Sequence, residues 1–290
     1  MELLFVFGRL ALSLASNVYQ KKLTEAGLPP FYIVFAIYVV LGLLSLPLIA
    51  TVQVSNLGHP FWLNISLASL FDVSGWMFLV LSLSKTDLSV FGPLNAYKVV
   101  FSLLLAVIFL HELPNAQGLI GVSIIILGSF LLTPSNQQTQ LRKIPALLKD
   151  KGVQARFLSI ALFSVGTIFL KNAVILGSPL SALIFWSLIG LSLAMLSNHL
   201  LLPHSMRTYL NKSKAHLPTI LSVGVMVFFM QYFTLVLLRE MLIAYALALF
   251  QLGMVIQVLI GYRVFNEKDV GRKLLAAVVM MTGSVMVLLA

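Results

Sequence analysis

The feature that most constrains this chain is the spacing of its apolar runs. Ten stretches of mostly apolar residues occupy 2–20, 29–50, 61–84, 89–111, 116–133, 155–176, 180–202, 217–238, 243–265 and 271–290. Each is close to the length, about 20 residues, that an α-helix needs to cross the hydrocarbon of a bilayer. The connectors are mostly short and carry helix breakers: Gly27-Leu-Pro-Pro30, Gly58-His-Pro60, Leu113-Pro114 and Gly177-Ser-Pro179. Residues 134–154 form a longer polar, basic bridge, and 203–216 a second longer connector; neither is long enough to fold alone. With 60% of its 290 residues hydrophobic and 10% charged, a soluble fold has no place to hide the apolar surface. The chain is predicted to be an all-α integral membrane protein with ten transmembrane helices. Glu2 is the only charge before Arg9, so the first stretch lacks the basic start of a signal peptide and is read as the first span.

The longest connector follows the fifth span, which invites a comparison of the two halves. A shift of 155 residues aligns Leu104-Leu-Ala-Val-Ile-Phe-Leu-His-Glu112 with Leu259-Ile-Gly-Tyr-Arg-Val-Phe-Asn-Glu267. The same shift aligns Gly128-Ser129 with Gly283-Ser284 and Gly121 with Ala276. Near the start of each half, a shift of 150 aligns Lys21 with Lys171, Gly27 with Gly177, Pro29 with Pro179 and Phe35 with Phe185. Residues 1–133 and 155–290 are therefore read as two five-helix repeats joined by 134–154. Five is odd, so the second repeat enters the membrane from the opposite side. Inverted repeats of this kind are a recurrent transporter architecture, with the solute site near mid-membrane where the halves meet.

The end of each half carries a family likeness. Phe91-Gly-Pro-Leu-Asn-Ala-Tyr-Lys98 leads to His111-Glu112 and then Gly128, and a second copy runs from Ala246 to Glu267 and Gly283. In this the chain resembles the EamA-type ten-span members of the drug/metabolite transporter superfamily. The resemblance implies a secondary carrier of small metabolites. It leaves the substrate open, since that family moves amino acids, sugars, drugs and other compounds. Many members begin with basic residues before the first span, and this chain does not.

Charges within spans are expensive and mark functional groups. Asp72 is central in the third span, Lys98 near the centre of the fourth and Arg9 near the middle of the first. Counted from the connector that joins their helices, Asp72 and Lys98 are roughly 18 and 14 Å deep, a match that lets adjacent antiparallel helices pair them. Asn95, Lys98 and Ser102 share one helical stripe, as do Ser69, Asp72 and Trp76, and Arg9, Ser13, Ser16 and Gln20. The second half has no matching charges. Its deep polar residues are Gln231, Tyr232, Gln251 and Gln257, and Tyr97, Trp76 and Trp186 are aromatic faces on which a solute can stack. The candidate substrate-binding residues are Arg9, Asp72, Trp76, Asn95, Tyr97, Lys98, Trp186, Gln231, Tyr232 and Gln251. Lys21 and Lys171 are read as snorkelling at span ends, and Glu112 and Glu267 as serving turns or orientation.

Catalytic and cofactor chemistry is not expected. There is no cysteine, no H-E-x-x-H, no G-x-S-x-G, no Walker A and no dinucleotide fingerprint. No metal, cofactor or nucleic-acid partner is expected; the net charge of +10 belongs mainly to connectors. The expected function is alternating-access transport of a small organic metabolite across a plasma membrane, the inner membrane of a bacterium. An interior with Arg9 and Lys98 against one Asp72 favours a zwitterionic or anionic solute such as an amino acid. Asp72 is the candidate for proton coupling, since burial favours its neutral form and a nearby cation its charged form. The alternatives are a membrane scaffold whose buried charges are structural pairs, and an intramembrane lipid-modifying enzyme, for which paired carboxylates or a His cluster would be required. Of the 19 Lys and Arg residues, all but Arg9, Lys98, Lys171 and Arg239 lie in or beside the odd-numbered connectors. The positive-inside rule then expects both termini outside the cytoplasm, whereas the family resemblance implies cytoplasmic termini. We follow the charge count.

Overall fold

The computed structural model describes residues 2–105, 115–132, 149–202, 206–240 and 250–289. Its helices are α1 (Glu2–Glu25), α2 (Pro30–Ser45), α3 (His59–Leu83), α4 (Leu88–Leu105), α5 (Ala116–Leu132), α6 (Lys151–Leu176), α7 (Pro179–Leu201), α8 (Leu217–Glu240), α9 (Leu252–Phe265) and α10 (Val270–Leu288). A short helix, Met206–Ser213, precedes α8. There is no strand among the described residues. Seven helical stretches, beginning at Pro30, His59, Leu88, Lys151, Pro179, Thr208 and Val270, are long and apolar enough to cross a membrane. Helices α5 and α9 are apolar but shorter, and α1 is not among the seven. The fourth and ninth expected spans run into residues 106–114 and 241–249, and these, with Glu112, Ala246 and residues 134–148 of the bridge, lie outside the described residues. Large apolar side chains such as Leu4, Phe7, Ile175, Met195, Leu200 and Leu127 are exposed, an outer surface suited to lipid and not to water. The chain is an all-α, multi-pass membrane protein.

Breakers and caps set the helix ends. Gly27, at φ 78°, turns α1 into α2, where Pro30 fits the first helical position. Lys212 donates to the Gly27 carbonyl at 2.8 Å. Ser178 and Ser181 form a reciprocal capping box ahead of α7. Helix α6 begins inside the expected bridge and not at residue 155, because the Asp150 carboxylate accepts from Val153 N at 2.9 Å and starts the helix early.

The described chain forms two compact units, Met1–Ser84 with Val165–Met241 and Lys85–Ser164 with Leu242–Ala290. Each unit takes helices from both sequence halves. In the first unit α1 packs on α8, and α2 packs on α3, α7 and α8. Phe5 meets Phe233 with centroids 5.3 Å apart, and Gly224 lets Val40 approach so closely that an added Cβ would stand 2.5 Å away.

In the second unit, α5 and α10 cross at glycines. A Cβ on Gly121 would lie 2.7 Å from the Gly283 carbonyl, and one on Gly283 would lie 2.7 Å from the Gly121 carbonyl. Gly128 packs on Met280, and Gly283 on Ile125. Contacts later along α5 fall earlier along α10, so the two helices are antiparallel. The pairs Gly128–Met280 and Ile125–Gly283 exchange under the 155-residue shift.

Helix α4 is broken: an α-turn over Leu88–Phe91, a 3-10 stretch over Pro93–Ala96, then α-helix from Tyr97. Pro93 has no N–H to continue the ladder, and Gly92 leaves room for Gln257 of α9. The detached first turn is held from outside. Asn266, at φ 52°, ends α9 in the left-handed conformation, and Glu267 N bonds back to the Gly261 carbonyl. The Glu267 carboxylate is thereby aimed at α4, where it accepts from Leu88 N at 2.6 Å, from Ser89 N at 2.8 Å and from the Ser89 hydroxyl. Glu267 does serve a helix end. Asp87, which precedes that turn, accepts instead from Lys273 Nζ at 2.9 Å.

The glycine crossing yields a prediction. Gly283→Val should destabilise the protein by about 1–3 kcal/mol through overpacking against the Gly121 carbonyl. Gly271→Val, where a Cβ meets nothing within 4 Å, should be close to neutral by comparison. Thermal unfolding of purified protein in detergent checks both.

Candidate functional site

Of the candidate residues, Arg9, Asp72, Trp76, Trp186, Gln231 and Tyr232 belong to the first unit, and Asn95, Tyr97, Lys98 and Gln251 to the second. Asp72 and Lys98 thus stand in different units.

In the first unit, Asp72 is buried near the middle of α3. Its carboxylate accepts from the indole Nε1 of Trp186 on α7 at 2.9 Å. Trp186 is fully buried, and the Tyr38 ring on α2 packs against it with centroids 5.3 Å apart. Gly166 of α6 is the reason a carboxylate fits here, since a Cβ at that position would stand 2.6 Å from Asp72 Oδ1. The phenolic oxygen of Tyr38 is buried with no hydrogen bond among the described residues. Trp76 and Gln231 are buried, while Arg9 and Tyr232 are half-buried. The structure therefore brings Asp72 and Trp186 together directly, and adds Tyr38 and Gly166, which the sequence reading missed. Tyr38 was legible only as a polar tip in an otherwise apolar run.

In the second unit, Tyr97 donates to Ser129 Oγ at 3.0 Å and meets Phe157 edge-on at 4.7 Å. Asn95 accepts from Arg156 Nη2 at 3.1 Å. The Arg156 guanidinium also lies 3.9 Å from the centroid of the Phe91 ring. Gln251 is fully buried, and neither atom of its amide makes a hydrogen bond among the described residues. Lys98 is half-buried. Arg156 was counted with the basic bridge, as were its flanking cations, because it stands one residue inside the expected sixth span. It is instead buried, with 5% of its surface exposed. Lys21 and Lys273 are buried as well, so Lys21 does not reach for an interface as a snorkelling side chain would. Among the described residues no group of three or more His, Asp or Glu is placed to hold a metal.

Residues 2–133 match the EamA-like transporter family, which belongs to the drug/metabolite transporter superfamily. A solved structure described as "Crystal structure of protein" superposes with a TM-score of 0.62 at 13% identity, over 96% of this chain and 95% of that one. At that identity the likeness is one of fold. No curated protein matches the chain. The class these findings point to is a multi-pass membrane protein whose first half is similar to a transporter family. Over residues 2–133 the chain is similar to EamA-like transporters of the drug/metabolite type.

A substitution series tests the Asp72 contact. Asp72→Leu leaves the buried Trp186 N–H without its acceptor and should cost about 1–3 kcal/mol in thermal unfolding. Asp72→Asn keeps an acceptor oxygen and should cost clearly less. Equal losses for the two would show that the indole bond is not what Asp72 contributes.

Proposed function

We propose that this chain is a secondary carrier that moves a small organic solute by alternating access between two inverted five-helix repeats, with ten spans in all. The antiparallel crossing of α5 and α10, through contacts that exchange under the repeat shift, supports the inverted relation. The observation that carries the functional reading is Asp72. A carboxylate buried near the middle of a spanning helix, where it accepts from the Trp186 indole, is costly for a purely structural helix contact. In this reading Asp72 and Lys98 belong to the transport path, Arg9, Asn95, Tyr97, Trp76, Trp186, Gln231, Tyr232 and Gln251 line it, and Asp72 takes up and releases a coupled proton. The solute is zwitterionic or anionic, such as an amino acid. The basic connectors face the cytoplasm of a bacterial inner membrane, with both termini on the far side; the burial of Lys21, Arg156 and Lys273 leaves that charge bias in place.

Transport in proteoliposomes tests the site. Asp72→Asn and Lys98→Met should each reduce uptake to background while the purified variants stay folded. Full-rate uptake by Asp72→Asn would remove proton coupling through this residue. Recovery of full activity in the double variant alone would reduce the pair to a structural contact, as the scaffold alternative expects. Orientation has its own measurement: a reporter that fluoresces only in the cytoplasm should stay dark when fused after Ala290.

A further inference from the structure

The buried charges of the second unit are not treated alike. Lys273 has the Asp87 carboxylate at 2.9 Å. Glu267 has two backbone N–H groups and a hydroxyl. Arg156 is equally buried and has no carboxylate among the described residues: its partners are the Asn95 amide oxygen and the face of Phe91. Its Nε makes no hydrogen bond there. The guanidinium carbon lies over an aromatic ring while Nε keeps an unused donor. That edge is what a carboxylate takes in a bidentate pair.

A second unused donor lies close by. Phe91 is followed by Gly92, the residue at which α4 breaks, and a Cβ on Gly92 would meet the Gln257 side chain at 2.8 Å. Gln257 is buried, and its Nε2 makes no hydrogen bond among the described residues. A cation and an amide donor, both desolvated and both short of acceptors, flank the same break in a spanning helix. An acceptor-only group with negative charge satisfies both. A neutral or cationic solute leaves the Arg156 charge uncompensated in a place where that is costly.

We infer that Arg156, with Gln257, recognises the carboxylate of the transported solute, and that Arg156 sets the preference for anionic over neutral or cationic solutes. This rests on the carrier reading and names its substrate class. Arg156 is outside the set of residues assigned to the transport path above.

Matched probes test it. Thermal stabilisation of purified protein is titrated with benzoate against benzamide, with L-glutamate against L-glutamine, and with inorganic phosphate. Wild-type protein should bind at least one carboxylate more tightly than its amide. Arg156→Gln should lose about tenfold to a hundredfold in affinity for that carboxylate, the span of a charge-assisted hydrogen bond, with affinity for the amide unchanged. Arg156→Lys, which keeps the charge but not the fork, should lie between them. A merely structural Arg156 would lower the melting temperature of the unliganded variant and leave the carboxylate-to-amide ratio as it was, which overturns the inference. So would the absence of any carboxylate preference in the wild type, or a preference for phosphate alone. Should Arg156→Gln not fold, phenylglyoxal labelling of the wild type keeps the test open: the carboxylate, and not its amide, should protect Arg156, and equal protection by both overturns the assignment. Failure of the two readings is separable. If counterflow moves a neutral or cationic solute equally in wild type and Arg156→Gln, the carrier stands and the Arg156 assignment falls. If binding depends on Arg156 but no solute moves, the assignment stands and the carrier reading falls.

Discussion

Hydrocarbon offers no hydrogen-bond partner, so a polar group that a spanning helix carries inward is costly unless something other than lipid answers it. Glu267 is where this constraint does most for the fold. The Gly92-Pro93 break leaves the first turn of α4 only four residues long, Leu88–Phe91, far too short to persist by itself. The left-handed end of α9 at Asn266 turns the Glu267 carboxylate onto the open amides of that turn. With the helix end satisfied from α9, Asp87 is released to pair with Lys273 of α10. Three helices are thereby tied together by two carboxylates, each matched to the donors it meets.

Between lipid-exposed helices the hydrophobic effect gives little reason to associate, and close packing takes its place. Small residues stand where helices cross. Gly121 and Gly283 bring the backbones of α5 and α10 into contact, Gly224 admits Val40, and Gly92 admits Gln257. Gly166 belongs to the same set but has a different consequence. It makes space for a carboxylate, Asp72, and so links a packing device to the chemistry of the candidate site. The indole of Trp186, braced by Tyr38, then fixes where that carboxylate points.

Each unit holds a buried charge oriented by neutral groups: the Trp186 N–H donates to Asp72 in one, and Asn95 and Phe91 meet Arg156 in the other. A neutral donor or acceptor orients a charge without cancelling it. Arg156, with no carboxylate among the described residues, retains the capacity to take a counter-ion.

The sequence alone determined the class. Lipid imposes length and apolarity on every spanning segment, so these are written in one dimension, and the depth of Asp72 and the helix-end role of Glu267 could be read directly from their distance to a span boundary. The double occurrence of Glu and Gly-Ser is also legible in one dimension, and it is what suggests a repeat. Tertiary structure alone decided which charges are buried. Arg156 stands within a turn or so of the start of α6, where one-dimensional reasoning assigns it to a solvated bridge, and it is buried because Phe91 and Asn95 of the broken helix α4 are folded over it. The same holds for the partition of the helices. Sequence similarity divides the chain at its middle, whereas compactness joins the front of each half in one unit and the back of each half in the other, with α6 shared between them. Packing follows the shapes of the helix faces, and those faces, Gly121 against Gly283 among them, find their complements in the opposite half of the chain.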